Sequence, residues 1–426
     1  MVEILPFRGL HYSPVHIRAS VFAPPYDVIS PAERQAYAEG NPHNIVRLIL
    51  GAQPGDQTWH AQAAATLAEW MASGVLERDA APALYGYRQE FALADGRKYT
   101  RTGFMGRLRL AEWGDGVHRH ERTKLGPRVD RLALMRATHA NMSPVFGLYP
   151  DPEGKVGRWL EPPANPLVDV QDGDGVRHVF WRIEDPAVVQ AISGAMAERD
   201  VVIADGHHRY ETALAYRAER RAADGNPDQP QPYDYVLMYL TALEDPGLVV
   251  LPTHRVISGD LPSEGRSLLD ALSVDFELSP VGEQDSLGRA IADAADGTVA
   301  IGACLAESGC WLLKLRDLER ARVAAGDRVP DELATLDVCV LQNLILEPHL
   351  GIGAEKLATG EQVTYTIHEQ EARKLVAGGE ARAAFILNPT SVERVWRAAR
   401  QGVVMPQKST YFYPKLLSGL VLNPLD

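Results

Sequence analysis

The chain has 426 residues, of which 46% are hydrophobic and 23% are charged, as is typical of a globular protein. At about 150 residues per domain, this length predicts two or three domains with substantial cores. The 43 Lys and Arg residues and 56 Asp and Glu residues give a net charge of −13. This balance excludes coating of a nucleic acid by bulk charge and leaves room for a local basic pocket.

Three further features predict a cytoplasmic protein without a membrane partner. The cysteines are Cys304, Cys310 and Cys339, which form no CxxC pair and are expected to be reduced core residues. The opening residues, MVEILPFRGLHYSP, contain no long apolar stretch and so predict no secretory signal. No run of about 18 apolar residues occurs, which argues against a membrane span.

The first 150 residues predict helices, a buried strand and a hairpin. Ser30 and Pro31 are the residue types expected at the cap and first position of a helix. Asp95-Gly96, between two runs rich in aromatic residues, predicts a hairpin turn. The other predicted elements are a buried strand at 44–50, a helix at 57–73, a helix within 121–142 and a strand at 145–148.

The rest of the chain alternates helices and strands, which predicts an α+β fold of mixed sheets with packed helices. A stretch rich in Gly, Pro and Asp at 151–176 marks a surface connection. Thr390 and Glu393 match a capping box. We expect three regions, 1–150, 151–265 and 266–426. A predicted helix runs from the Asp205-Gly206 turn to about 223. Other predicted helices lie at 186–199, 286–296, 330–347, 369–377 and 390–400, and predicted strands at 201–204, 235–241, 248–252, 273–278, 299–304, 310–315 and 383–387.

The most informative segment is VVIADGHHRYET, in which a hydrophobic strand leads through Asp205-Gly206 into a helix. Gly206 permits a sharp turn, and the first helical turn favours an anion through its N–H groups and dipole. His207, His208 and Arg209 add donors there, and Arg209 can hold a phosphate with two hydrogen bonds. We count His207 and His208 among the candidate catalytic residues. Asp205 is a candidate to accept a proton, hold a metal or cap the helix. The plainer alternative is a capped helix with incidental histidines.

A second cluster is the segment HRHERT and the residues that follow it. His120 and Glu121 are adjacent, and Glu121 is a candidate general base because a carboxylate can take a hydroxyl proton. Thr123, Lys124 and Arg131 are candidates to bind anionic oxygens. A solvated charged turn before the next helix is the alternative.

A third cluster lies in MPQKSTYFYPK, where Lys408, Ser409 and Thr410 supply a cation and two hydroxyls between stiff prolines. Such a loop is a candidate to hold a phosphate, although a triplet of this kind is often plain surface. The triplet Thr-His-Arg at 253–255 leaves the same two alternatives open.

Several familiar motifs are absent from the sequence. It contains no GxxxxGK[ST], no GxSxG and no HExxH, and the Gly351-Ile352-Gly353 stretch lacks the third glycine of a dinucleotide fingerprint. A metal centre built from His118, His120, His207 and His208 is an open alternative, but adjacent histidines seldom bind one metal together and no helical i, i+4 pair supports it. We therefore assign no metal ligands.

These motifs together resemble the DUF1015 family of bacteria and archaea. PFRGL, APPYDVIS, HERT with DR, ADGHHRYETA, LPTHR and MPQKSTYFYPK follow one another in order across residues 6–415. The resemblance implies family membership and says little about activity.

The ADGHHR element is in turn similar to a motif of the ParB/sulfiredoxin superfamily, which includes free-serine kinases. The resemblance covers the region around 180–260 and implies a nucleotide-binding core with phosphates at the start of the helix. It implies that residues 205–209 form the phosphate site. A separate glutamate acts as base in those kinases, and Glu121 is the candidate here on chemical grounds alone. His207 stands where sulfiredoxin chemistry would need a cysteine.

Three hypotheses on function follow. The first is a phosphotransferase or phosphohydrolase that uses ATP or ADP with Mg²⁺ on a small hydroxylated metabolite such as serine or phosphoserine. The second is a ParB-like nucleotide-binding switch that does not turn over a metabolite. The third is a metal-dependent hydrolase built on His118, His120, Asp205 and His207. The expected partner is a small phosphate-bearing ligand.

Overall fold

The chain folds into two compact units in the computed structural model. The structure describes residues 2–52, 56, 58–121, 125–262, 265–282, 285–326, 329–360 and 362–426. Unit 1 comprises Met1–Arg119, Thr123–Val249 and Pro414–Asp426, and unit 2 comprises His120–Arg122 and Val250–Tyr413. The predicted boundary at 150 lies inside unit 1, and strands from both sides of it share one sheet. The division into three regions stays a prediction.

The strands of unit 1 form, over its described residues, a nine-stranded sheet in the order β6-β11-β8-β12-β5-β4-β10-β9, with β1 added to β5. The sheet is mixed, because β11 runs parallel to β6 and antiparallel to β8. The strands of this unit are β1 (Ile4–Leu5), β2 (Leu10–Tyr12), β3 (Leu76–Arg78), β4 (Leu84–Ala92), β5 (Lys98–Arg109), β6 (Val117–His118), β7 (Ala140–Asn141), β8 (Val145–Tyr149), β9 (Val168–Gln171), β10 (Arg177–Ile183), β11 (Val201–Asp205), β12 (Tyr235–Ala242) and β21 (Asn423–Pro424).

The helices of unit 1 include the predicted one after Ser30. Ser30 accepts a hydrogen bond from the backbone of Glu33, and the Glu33 carboxylate accepts one from the backbone of Ser30. The predicted capping residue is therefore confirmed. The helices of this unit are α1 (Pro31–Gly40), α2 (Val46–Ile49), α3 (Trp59–Ala72), α4 (Leu125–Thr138), α5 (Pro186–Ala197) and α6 (His207–Ala223), with 3₁₀ turns at Ala19–Val21, Tyr26–Val28, Gly157–Trp159 and Pro232–Asp234.

The strand predicted at 44–50 is wrong. This apolar run is buried as expected, but it forms the short helix α2. The side chain of Asn44 accepts a hydrogen bond from the backbone N–H of Val46 at 2.8 Å, which starts the helical turn. Hydrophobicity alone does not distinguish a short buried strand from a buried helical turn.

Unit 2 is built on a six-stranded sheet among its described residues, in the order β15-β17-β16-β19-β14-β18, and all five pairings are antiparallel. Its strands are β13 (Val249–Leu251, which begins on the last residue of unit 1), β14 (His254–Ile257), β15 (Phe276–Val281), β16 (Ala300–Leu305), β17 (Gly309–Leu315), β18 (Val363–Thr366), β19 (Ala383–Ile386) and β20 (Tyr411–Tyr413). Its helices are α7 (Gly265–Leu272), α8 (Leu287–Ala294), α9 (Leu318–Ala325), α10 (Asp331–Ala334), α11 (Asp337–Leu341), α12 (Glu347–Leu350), α13 (Ala354–Thr359), α14 (Glu369–Ala377) and α15 (Val392–Arg400), with a π-helical turn at Gln342–Leu346.

Two details of unit 2 differ from the sequence predictions. Ser391 rather than Thr390 caps α15, because its hydroxyl accepts the N–H of Arg394 while the Thr390 hydroxyl donates to the carbonyl of Ser409. Cys304 and Cys310 face each other across the β16–β17 hairpin and form a disulfide, so the expectation of reduced cysteines is wrong for this pair.

The overall class is α+β with mixed sheets and packed helices, as predicted. Cys339 is a buried free thiol, as expected for a core residue. Within the described ranges, we find no helix with both the length and the apolar character needed to cross a membrane.

Candidate functional site

The predicted turn of the ADGHHR segment has the predicted structure. Strand β11 ends at Asp205, Gly206 adopts φ +90°, and α6 begins at His207. The strand is buried and rich in β-branched residues, and a glycine takes this left-handed conformation at no steric cost. A Cβ at Gly206 would lie 2.9 Å from Cζ of Arg209, so the missing side chain also makes room for that guanidinium.

Two cations surround the carboxylate of Asp205. Nζ of Lys415 lies 2.8 Å from Oδ2, and Nη2 of Arg209 lies 3.6 Å from Oδ1. The N-cap residue of α6 is Gly206, and the capping role considered for Asp205 stays a prediction. The three side chains are mostly buried and together carry one net positive charge at the positive end of a 17-residue helix. This arrangement is suited to an anion.

Hydrogen bonds to the backbone carbonyls at 414–415 hold Lys415 in place. The fully buried Arg101 donates from Nη2 to the carbonyl of Pro414, and Nε2 of Gln89 donates to the carbonyl of Lys415 at 3.0 Å. Arg101 also donates to the Gln89 amide oxygen. These bonds fix the backbone at 414–415 and so direct the Lys415 ammonium to Asp205.

The two predicted histidines lie in the first turn of α6. His207 is buried, and His208 is half-buried. The same helix continues with Glu211, whose carboxylate lies 3.4 Å from Nη1 of Arg119. The catalytic roles predicted for Asp205, His207 and His208 stay predictions.

A shallow cleft with a cavity volume of about 40 Å³ lies beside Arg209 in unit 1. Arg131 enters it with its guanidinium 4.0 Å from the ring centroid of Tyr26, and Nε of Arg131 donates to Asp130. Burial raises the pKa of Tyr26 to about 12, against the opposing effect of Arg131 and Arg209. The cleft is lined by Tyr26, Ile49, Arg131, Leu134, Met135, Ala140, Asn141, Met142, Ser143, Arg209, Thr212 and Val236.

One hydroxyl of this cleft has no partner in the part of the chain that the structure describes. Oγ1 of Thr212 is buried and makes no hydrogen bond there, although the residue is only 1% exposed. Native proteins pair most buried hydroxyls, so an unpaired one at a cleft is a candidate ligand contact.

The HERT segment belongs to unit 2 where it is described. Nε2 of His120 and the hydroxyl of Thr410 share a hydrogen bond of 3.0 Å, and the carbonyl of His120 accepts the N–H of Met405. Oε1 of Glu121 accepts the backbone N–H of Lys408 at 3.0 Å. The predicted ligand Thr123 and its neighbour Lys124 lie outside the described residues.

The Lys-Ser-Thr triplet lies next to that segment in unit 2. Lys408 is exposed and adopts φ +56°, a conformation that non-glycine residues rarely adopt. Ser409 and Thr410 are buried, and the Ser409 hydroxyl donates to the carbonyl of Pro406. The structure therefore brings His120 and Glu121 together with 408–410, whereas 205–209 and Arg131 belong to unit 1. The predicted phosphate-binding roles in both groups stay predictions.

The third motif that the sequence left open, Thr-His-Arg at 253–255, is not an exposed loop. His254 and Arg255 begin the inner strand β14, and both are buried. Nδ1 of His254 accepts the N–H of Leu387, and burial lowers the pKa of His254 to about 4. The histidine is therefore neutral at neutral pH.

For the metal hypothesis, the described residues contain no group of three or more His, Cys, Asp or Glu side chains placed to hold a metal ion. His118 instead lies 3.5 Å from Asp200, and Asp205 is paired with Lys415.

A family model described as a protein of unknown function (DUF1015) matches residues 4–339. The chain belongs to the DUF1015 family. The match includes the DGHHR and THR segments of this DUF1015 chain and ends before MPQKSTYFYPK. No curated protein matches the sequence.

Solved structures similar to this DUF1015 chain include a conserved hypothetical protein from Pyrococcus furiosus, at 14% identity over 75% of this chain and 95% of that one, with a TM-score of 0.34. A free serine kinase in complex with AMP matches at 14% identity over 75% and 92%, with a TM-score of 0.35. SbnI from Staphylococcus aureus matches at 11% identity over 73% and 85%, with a TM-score of 0.33.

Proposed function

We propose that this DUF1015 protein is a nucleotide-dependent phosphotransferase or phosphohydrolase that acts on a small hydroxylated metabolite, with serine or phosphoserine as the first candidates. We further propose that the region 151–265 contains a ParB/sulfiredoxin-like nucleotide-binding core. The motif DGHHR and its local geometry support both proposals, and the phosphate groups of ATP or ADP are the ligand.

The observation that carries the proposal is the pairing of one carboxylate with two cations at the start of α6. Asp205 holds Arg209 and Lys415 beside the first turn of α6. Phosphoryl transfer depends mainly on positioning and on neutralising the charge of the phosphate oxygens. The two cations and the helix end supply that charge, and Asp205 keeps both cations in place.

Mg²⁺ would enter with the nucleotide, because this ion is usually held by phosphate oxygens, waters and one or two carboxylates. Asp205 is the carboxylate of the turn that would contact it, and the ion would neutralise part of the phosphate charge. Glu121 stays the predicted general base, which Glu121→Gln would test.

Phosphorus NMR of the full chain with ATP or ADP, Mg²⁺ and either L-serine or O-phosphoserine tests the proposal. We expect transfer or release of one phosphoryl group, and a loss of at least about tenfold in rate in Arg209→Ala. Arg220→Ala is the matched control, since Arg220 lies on the same helix in an exposed pair with Asp224.

Two results would contradict the proposal. Full activity in Arg209→Ala would remove the cationic turn from the mechanism. Calorimetric binding of ADP without turnover of any hydroxylated compound would favour the nucleotide-binding switch instead.

A further inference from the structure

We propose a second binding site, in unit 2, at which Arg255, Tyr365 and Thr253 bind a small oxyanion, either a phosphate or a carboxylate. All of its residues belong to unit 2, and it does not depend on the function proposed for unit 1.

The charge of Arg255 is buried, and no carboxylate of the described residues is paired with it. The residue is 4% exposed, and its guanidinium donates to the backbone carbonyls of Thr253 and Gln407. Among the residues described, no Asp or Glu oxygen forms an ion pair with it. A buried cation is costly without a counter-charge, and a guanidinium has five N–H donors, of which these carbonyls use only part.

The position of Arg255 in the sheet makes this burial unusual. Side chains alternate along a strand, so Arg255 shares the face of Ile257, which packs in the main apolar core of unit 2 with Met405 and Phe385. Burial lowers the pKa of Arg255, and the nearby Glu121 raises it. An apolar side chain would fill this position at lower cost, which argues for a role other than packing.

Two hydroxyls near the guanidinium also lack protein partners. Tyr365 is paired with Arg255 across β14 and β18, and Cζ of Arg255 lies 5.4 Å from the centroid of its ring. The OH of Tyr365 and Oγ1 of Thr253 are buried, and neither has a hydrogen-bond partner in the described ranges. Leaving a buried hydroxyl unpaired destabilises the fold, and a bound acceptor would recover that loss.

The surroundings are positive overall. Glu121 and Lys408 both act on the pKa of Tyr365, which burial raises. With Arg255, these groups sum to one net positive charge. Lys408 is held at φ +56° by the bond from its N–H to Glu121, and backbone strain of this kind is found at ligand sites. Two cations and two hydroxyl donors match the acceptors of a phosphate or a carboxylate.

Binding of inorganic phosphate and, separately, acetate to the full chain tests the proposal by calorimetry. The measurements use an Arg209→Ala background, so that phosphate bound at the unit 1 turn does not obscure the result. We expect one of the two anions to bind. Tyr365→Phe should weaken the affinity for that anion about tenfold, and Arg255→Met should abolish its binding. Tyr37→Phe, in unit 1 on α1, is the control and should leave the affinity unchanged.

The melting temperature of Tyr365→Phe shows whether the Tyr365 hydroxyl contacts a ligand or is bonded within the protein. Since the Tyr365 hydroxyl has no partner among the described residues, Tyr365→Phe should leave the melting temperature unchanged or raise it. A clear fall in melting temperature would show that the hydroxyl is bonded within the protein and would overturn the proposal. Failure of both anions to bind, or equal affinity in Tyr365→Phe, would overturn it as well. Preference for phosphate or acetate identifies the class of oxyanion.

Discussion

Lys415 and Asp205 lie 210 positions apart in the chain, yet the ammonium of Lys415 is 2.8 Å from Oδ2 of Asp205. Arg209 approaches the other oxygen of the same carboxylate. One carboxylate thus orients two cations, and the cluster keeps a net positive charge beside the N–H groups of α6. An isolated ion pair on a surface would contribute little, but these side chains are mostly buried and pre-organised.

Replacing Lys415 with Met should weaken ADP binding about tenfold, because the cluster would lose its net charge while the apolar stem is kept. Isothermal titration calorimetry at two salt concentrations measures this effect. The dependence of the ADP affinity on salt concentration should also fall, because one fewer cation contacts the phosphates.

Lys155→Met is the control for that substitution. Lys155 pairs with Glu153 on the surface of unit 1, where both side chains are more than half exposed. Its loss should change neither affinity nor stability measurably. Equal weakening in both variants would mean that overall charge, rather than the Asp205 cluster, attracts the nucleotide.

Gly206→Ala should reduce both stability and ADP affinity. The left-handed φ of +90° costs a non-glycine residue about 1–2 kcal/mol, and the new Cβ would lie 2.9 Å from the Arg209 guanidinium. Arg209 must then move from Asp205. Urea denaturation and calorimetry measure the two effects separately.

Gly225→Ala separates backbone strain from the displacement of Arg209. Gly225 has φ +75°, and a Cβ there would meet no atom within 4 Å. This variant should show a similar loss of stability and an unchanged affinity. If Gly225→Ala weakened binding equally, the affinity loss in Gly206→Ala would reflect general destabilisation.

The ADGHHR turn could be predicted from the sequence because its signals are local. A β-branched run, a glycine and an amphipathic helix follow one another, and each has a short-range physical cause. Helix α2 (Val46–Ile49) was predicted as a strand, because its helical turn begins with one hydrogen bond to the side chain of Asn44, which the hydrophobic pattern does not report.

The partners of the turn could not be predicted, because they come from distant segments. The sequence drew attention to Lys408, yet Lys415 is the lysine that meets Asp205, seven residues further along the same motif. Its position depends on bonds from Arg101 and Gln89 to the backbone at 414–415. Pro414 beside a lysine in the segment MPQKSTYFYPK was the available signal. The sequence offered no such signal for Thr212, because whether a buried hydroxyl is paired depends on the fold around it.

Cys304 and Cys310 should be oxidised in the native protein. They are facing residues of one hairpin, which places their side chains on the same side of the sheet. Thiol titration of denatured, unreduced protein should therefore find one thiol, from Cys339, and three after reduction. Alkylation at lysis prevents oxidation during purification. Three thiols before reduction would support the cytoplasmic location predicted from the sequence.

The stability of unit 2 should fall between pH 7.5 and pH 5 because of His254. Burial lowers the pKa of this histidine from 6.5 to about 4, and its Nδ1 accepts the N–H of Leu387. Between these two pKa values the unfolded chain binds a proton that the folded chain does not. Stability is therefore full above pH 6.5 and is lost as the pH falls toward 4.

This difference in proton binding lowers the free energy of unfolding by about 2 kcal/mol between pH 7.5 and pH 5. His254→Asn removes the titrating ring and keeps an oxygen that can accept the Leu387 N–H. Urea denaturation of both proteins at the two pH values isolates the contribution, since all other titrating groups are shared. On acidification, the free energy of unfolding of the wild type should fall by about 2 kcal/mol more than that of the variant. Equal losses would show that His254 is protonated in the folded protein, so that its ring must bond Leu387 differently.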